Sequence, residues 1–133
     1  MNKQPLTVTI NLILLLVNAV IWLFLGIIIA FNLHPAIPDL PGLKLGLAII
    51  SFVIVAFLGV VTFLLRRHNP AAYYLALIFF IGTSILTIFD NIGWADVAFL
   101  VISVVPILLL FVDRKWYLPP KWKEKEDNQS AAQ

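Results

Sequence analysis

Two apolar runs, Ala71–Phe89 and Ala95–Val112, flank the short polar elbow Asp90-Asn91-Ile92-Gly93-Trp94. Each run is close to the ~20 residues a helix needs to cross a hydrocarbon layer about 30 Å thick. In lipid the backbone must satisfy its own hydrogen bonds, so a spanning segment is a helix or part of a closed barrel. These runs lack the strict alternation of a barrel strand, and helices are therefore expected. The same theme occurs twice more, at Leu6–Phe31 and Leu43–Leu65. Charged residues make up 12% of the chain, about half the share of a soluble domain. The fold expected is all-α: an integral membrane protein with four transmembrane helices, near 6–31, 43–65, 71–89 and 95–112. Residues 1–112 then form the membrane domain, and 113–133 a basic-aromatic collar with a disordered tail.

Local signals mark the boundaries. The first run is about twice as long as a signal-peptide core and lacks a small-x-small cleavage site, so it reads as an uncleaved span. Pro35, Pro38 and Pro41 break the chain after it, and Gly42 opens the second span. Asn69-Pro70 fits a helix cap followed by proline at the first helical position. Gly93 fits a helix stop after the third span. Pro106 should kink the fourth. Beyond it, Pro119-Pro120 break any helix, and Lys121–Gln133 is charged, then small and polar, a composition expected to be disordered.

Basic residues set the orientation. Lys3, Arg66, Arg67, Arg114, Lys115, Lys121, Lys123 and Lys125 fall on one side of the expected membrane and Lys44 alone on the other. Basic flanks stay cytoplasmic. Both termini are thus expected inside, in a multi-pass protein of a prokaryotic cell membrane, with the loops 32–41 and 90–94 outside. Tyr73, Tyr74, Trp116, Tyr117 and Trp122 are expected at the inner interface and Trp94 at the outer. Short loops favour antiparallel neighbours, giving an up-down-up-down bundle.

Packing faces in a membrane need small or hydrogen-bonding residues. At about 100° per residue, Thr7, Asn11, Asn18, Trp22 and Gly26 share a face of the first helix. Ala48, Ser51, Val55, Gly59, Thr62 and Arg66 share one on the second, and Ala72, Ala76, Thr83, Thr87 and Asp90 one on the third. On the fourth, Asp96, Phe99, Ser103 and Pro106 align. Gly42 and Gly46 make a GxxxG pair of little weight alone. Asn11, Asn18, Thr62, Thr83 and Thr87 are the candidates for helix packing or, in the sharper reading, for a polar path. That path lacks the mid-membrane acid or base that proton-coupled transport needs.

Little points to catalysis. There is no Cys, no HExxH and no Gly-rich phosphate loop, and Ser51, Ser84 and Ser103 have no base at plausible depth. His34 and His68 are expected on opposite sides of the membrane, where they cannot share a ligand. Asp90 and Asp96 bracket the elbow, and hard cations prefer such oxygen ligands. Asp96 is more simply an acid in the first turn of a helix, where the dipole favours it, and Asp90 a solvated one, so no metal and no cofactor are expected. Arg66, Arg67, Arg114 and Lys115 are candidates for lipid headgroups, at about 1 kcal/mol per base. The bilayer is the expected partner, together with a larger membrane protein or a second copy, and not nucleic acid. The function expected is that of a non-catalytic accessory or scaffold subunit, with a homo-oligomeric channel or transporter for an ion or small solute as the alternative.

Overall fold

The computed structural model describes residues 3–33, 38–89, 93–118 and 121–133, with the side chains of 121–124 and 127 outside that description. Among the described residues six helices follow in order: α1 (Leu6–Ala30), α2 (Pro41–Arg66), α3 (Pro70–Phe89), α4 (Trp94–Val112), α5 (Arg114–Tyr117) and α6 (Lys121–Ala131). No strand occurs among the described residues. The first four helices are long and apolar enough to cross a membrane. Even α4, with 19 residues, reaches roughly 28 Å at about 1.5 Å per residue.

The helix ends follow from local chemistry. Pro41 does not precede α2 but opens it, with Leu40 extended at the cap; proline's missing N–H is harmless in a first turn. Asn69 Oδ1 accepts the Ala71 N–H at 2.9 Å, which starts α3 as Asn69-Pro70 suggested. Gly93 serves α4 rather than α3. It sits extended at the N-cap, and its N–H donates to Asp96 Oδ2 at 2.8 Å. Both α1 and α2 end on a residue in the left-handed region, Asn32 (φ 57°) and His68 (φ 56°). In each case two N–H groups turn back onto the last turn, Asn32 to Ile29 and Leu33 to Ile28, then His68 to Leu65 and Asn69 to Leu64. That is the Schellman closure, which satisfies carbonyls left over at a helix end.

One expectation is overturned. Lys121–Ala131, expected disordered, is helical. Its Lys, Glu, Gln and Ala residues are good helix formers, and its acids and bases fall three and four apart, the spacing that supports a helix. Low hydropathy alone had suggested disorder.

The helices contact their neighbours in the order α1–α2, α2–α3, α3–α4, with α4 closing on α1. The α1–α2 seam is the most extensive. It is tight enough that a Cβ at Gly26 would lie 3.0 Å from the Cβ of Ser51. The main core is drawn from the first half of α1 (Val8, Leu12, Leu15), the end of α2 (Leu58, Val61, Leu65), the first half of α3 (Tyr73, Ala76, Phe80), Leu110 and Tyr117. Large apolar side chains elsewhere on α1 to α4, among them Ile13, Val53, Ile78 and Val101, are exposed, which suits helices surrounded by acyl chains.

Candidate functional site

Polar side chains collect at two places. The first is where the start of α1 meets the end of α4. Thr7 Oγ1 donates to Asp113 Oδ1 at 2.6 Å, and Asp113, the residue between α4 and α5, is only 7% exposed. One helical turn on from each partner stand Asn11 and Tyr117, both 0% exposed. The Tyr117 ring packs against Tyr73 at 5.7 Å between centroids. Burial pushes the Tyr117 phenol up to about 12, the nearby Asp113 carboxylate adds to the push, and the Asn11 side chain opposes it. Asn11 thus faces the phenol, yet without hydrogen-bond geometry. Both Asn11 amide atoms, the Tyr117 hydroxyl and Asp113 Oδ2 are buried with no hydrogen-bond partner among the described residues. Unpaired buried groups are uncommon in folded proteins, and here several share one spot.

The second place is a cleft of about 910 Å³ towards the start of α4, walled by α1, α3, α4 and one residue of α2. Trp22, Ile54, Phe79 and Phe99 form its apolar wall, and Thr83, Thr87 and Asp96 are its polar groups. The Trp22 and Phe99 rings meet edge to face, 5.9 Å between centroids. The Thr83 hydroxyl donates to the Phe79 carbonyl at 2.8 Å, and Thr87 to the Thr83 carbonyl at 2.9 Å. Each therefore presents only acceptor lone pairs to the cleft.

The residues selected from sequence do not form one site. Thr83, Thr87 and Asp96 come together at the cleft. Asn11 and Asn18 do not join them; both are enclosed in the bundle. Thr62 is also buried, its hydroxyl on the Leu58 carbonyl at 2.7 Å, and it borders a separate, smaller cleft beside Gln4 and Arg66. Asp90 and His34 lie outside the described residues. No group of three or more His, Cys, Asp or Glu stands together among the described residues. Arg66, Arg67, Arg114 and Lys115 are all exposed. The Arg67 guanidinium lies 4.5 Å over the Phe63 ring, a cation–π contact. Lys44 instead pairs with Asp39 at 2.6 Å and holds that carboxyl below its usual range.

Asp113, Tyr117 and Tyr73 were missed as inward-facing residues. Tyr73 and Tyr117, expected as interface rings, are turned into the core, whereas Tyr74 is exposed. A signal was present: Thr7 with Asn11, and Asp113 with Tyr117, are each four apart in sequence, the spacing of one helix face. Of the small-residue face expected on α2, Ala48, Ser51 and Thr62 are buried, but the buried face extends to larger residues on one side and excludes two of the expected ones. Gly59 and Arg66 are exposed while Leu58, Val61 and Leu65 are buried. A Cβ at Gly42 or Gly46 would meet nothing within 4 Å, so that GxxxG pair seats no neighbouring helix among the described residues.

Compared with protein-family models, with curated proteins and with solved structures, the chain shows no significant match.

Proposed function

We propose that this chain is a four-span, up-down-up-down protein of a cell membrane, with both termini cytoplasmic, acting as a non-catalytic accessory or scaffold subunit for a larger membrane protein. The observation that carries this reading is the burial of Asn11 and Asn18, both 0% exposed. The amides best suited to line a water-filled path are enclosed among packed side chains instead. Neither amide is hydrogen-bonded among the described residues; on the accessory reading each bonds across helices after a small side-chain shift, which would be worth about 0.6–2 kcal/mol. The outward faces of α1 to α4 remain apolar, which suits lateral packing against another membrane helix. The orientation rests on the basic residues, because cytoplasmic flanks are the ones rich in Lys and Arg.

A second reading, a homo-oligomeric channel or transporter, draws support from the cleft that Thr83, Thr87 and Asp96 border. One experiment separates the two. The tagged chain is extracted gently from its native membrane, and its native mass and companions are determined. The accessory reading expects a stoichiometric larger membrane protein. It expects the double variant Asn11→Leu, Asn18→Leu to lower complex yield or thermal stability. A homo-oligomer that carries an ion or small solute across proteoliposomes, and loses that flux in the double variant, overturns it.

A further inference from the structure

We propose that the cleft at the start of α4 is a binding site for an amphiphilic organic cation, with the apolar body of the ligand between Trp22, Phe79 and Phe99 and its positive centre at Asp96. The proposal goes beyond the accessory reading and does not rest on it.

Size comes first. The cleft measures about 910 Å³, within the roughly 300–1,000 Å³ of small-molecule sites. Its wall is built as such sites are, apolar and aromatic with a few polar groups converging. Charge then selects the ligand. Asp96 is the one ionisable group lining the cleft among the described residues, and no base lines it. Its Oδ2 holds the Gly93 N–H, while Oδ1 accepts no hydrogen bond among the described residues. The remaining polar equipment is mostly acceptor. Thr83 and Thr87 have given their hydrogens to their own helix. Pro106 lies inside α4 and has no N–H to offer the Ile102 carbonyl four residues back, and Ile102 also lines the cleft. Among the side chains of the lining the donor is Trp22 Nε1, which is buried and has no partner. An anion would meet a carboxylate and a row of acceptors, and a plain acyl chain would leave them unmet. A cation with an apolar body satisfies the carboxylate and lies against the faces of aromatic rings, which attract positive charge.

The test is equilibrium binding of tetraphenylphosphonium to the full chain in a neutral detergent, alongside triphenylphosphine oxide as a neutral probe with a similar aromatic body. Saturable binding of the cation is expected, with the oxide weaker by about tenfold or more, the effect of one partly buried charge pair. Asp96→Asn should weaken the cation by a similar factor and leave the oxide unchanged. An Asn at this position keeps an oxygen to accept the Gly93 N–H, so the start of α4 is retained. Gly82→Leu should weaken both probes, because Gly82 lines the cleft and a Cβ there meets nothing within 4 Å. Non-saturable uptake, equal affinity for the two probes, or unchanged cation binding in Asp96→Asn overturns the proposal. The contrast between the two probes on the unaltered chain needs no variant to fold.

Discussion

Around Asp113 and Tyr117 the helices close on one another until even the Asn11 amide is shut away. Around Asp96 the same helices leave about 910 Å³ between them. Apolar content does not explain the difference, since both regions are lined mainly by Leu, Ile, Val and Phe. Acyl chains are as apolar as leucine, so in a bilayer hydrophobicity gives little reason to close a bundle. The use of polar groups does differ. Thr7 spends its hydrogen on Asp113 at the far-removed α4–α5 junction, whereas Thr83 and Thr87 spend theirs on carbonyls of their own helix. A hydroxyl satisfied at home ties nothing together. Closure in this protein follows cross-helix polar contact and close backbone approach, and the cleft lies where both are missing.

The same isosteric change at both ends should therefore give unequal results, and this is the largest effect expected. Thr7→Val removes the one hydrogen bond to a buried carboxylate. A bond to a charged group is worth about 1.5–3 kcal/mol, and the variant should lose that much stability on thermal unfolding in mild detergent. Thr87→Val removes only a bond to the helix's own backbone and should stay within about 0.5 kcal/mol. Equal losses from the two variants would break the comparison.

Much of this architecture was legible in the sequence. The four spans are found within two residues of the ends expected from apolar runs and prolines, because a membrane demands about 20 apolar residues per crossing whatever the tertiary packing. Asn11 and Asn18 stood out as residues too polar to face lipid, and both are buried. The core face of α2 was legible only in part: Ala48, Ser51 and Thr62 were picked out and are buried, whereas Leu58, Val61 and Leu65 were not picked out. Leu58, Val61 and Leu65 are apolar like the exposed Val53, Val60 and Phe63, so hydrophobic periodicity carries no signal when solvent and core are both apolar. The cleft was not legible, since it depends on how far α3 and α4 stand from α1. Its polar members were visible singly, Asp96 as a first-turn acid and Thr83 with Thr87 on one face of α3. Tyr117 was hidden by its neighbours: Arg114, Lys115 and Trp116 look like an interfacial collar, and only a turn at Asp113 sends the ring inward.

A smaller effect sharpens where the openness lies. Near the cleft, α1 and α2 still touch, for a Cβ at Gly26 would lie 3.0 Å from Ser51 Cβ and 3.6 Å from the Phe52 ring. Ser51 Cβ is fixed to its backbone, so Gly26→Ala must push two helices apart. Overpacking costs about 1–3 kcal/mol, offset in part by the ~0.5–1 kcal/mol that Ala gains over Gly in a helix. A net loss of about 1–2 kcal/mol is expected. Gly82→Ala meets nothing within 4 Å and should be neutral or slightly stabilising in the same unfolding measurement. If Gly26→Ala is as harmless as Gly82→Ala, the α1–α2 seam is as loose as the cleft beside it, and the opening is not confined to the α3–α4 side.

The smallest effect is absent at neutral pH and emerges only in alkali. The folded Tyr117 phenol is pushed up to about 12, whereas in the unfolded chain it should ionise near 10. A raised folded value means the contribution is fully present below pH ~10 and is lost as pH rises through about 12. Asp39 has the opposite sign. Lys44 lowers its folded value, so its contribution is present above the unfolded pKa and is lost as pH falls through the folded one. Asp39 is 93% exposed in that pair, however, and water screens an exposed ion pair almost completely. Thermal midpoints followed across pH should thus show an alkaline decline that Tyr117→Phe reduces, and an acid limb that Asp39→Asn leaves where it was. At neutral pH Tyr117→Phe should be neutral or stabilising, because it keeps the ring against Tyr73 and removes a buried hydroxyl that has no partner. A marked loss in that variant at neutral pH would mean the hydroxyl is bonded in the folded protein, with Asn11 and Asp113 among its polar neighbours. The enclosed end would then be held by a connected polar network, and the contrast with the cleft would be larger than a single Thr7–Asp113 bond makes it.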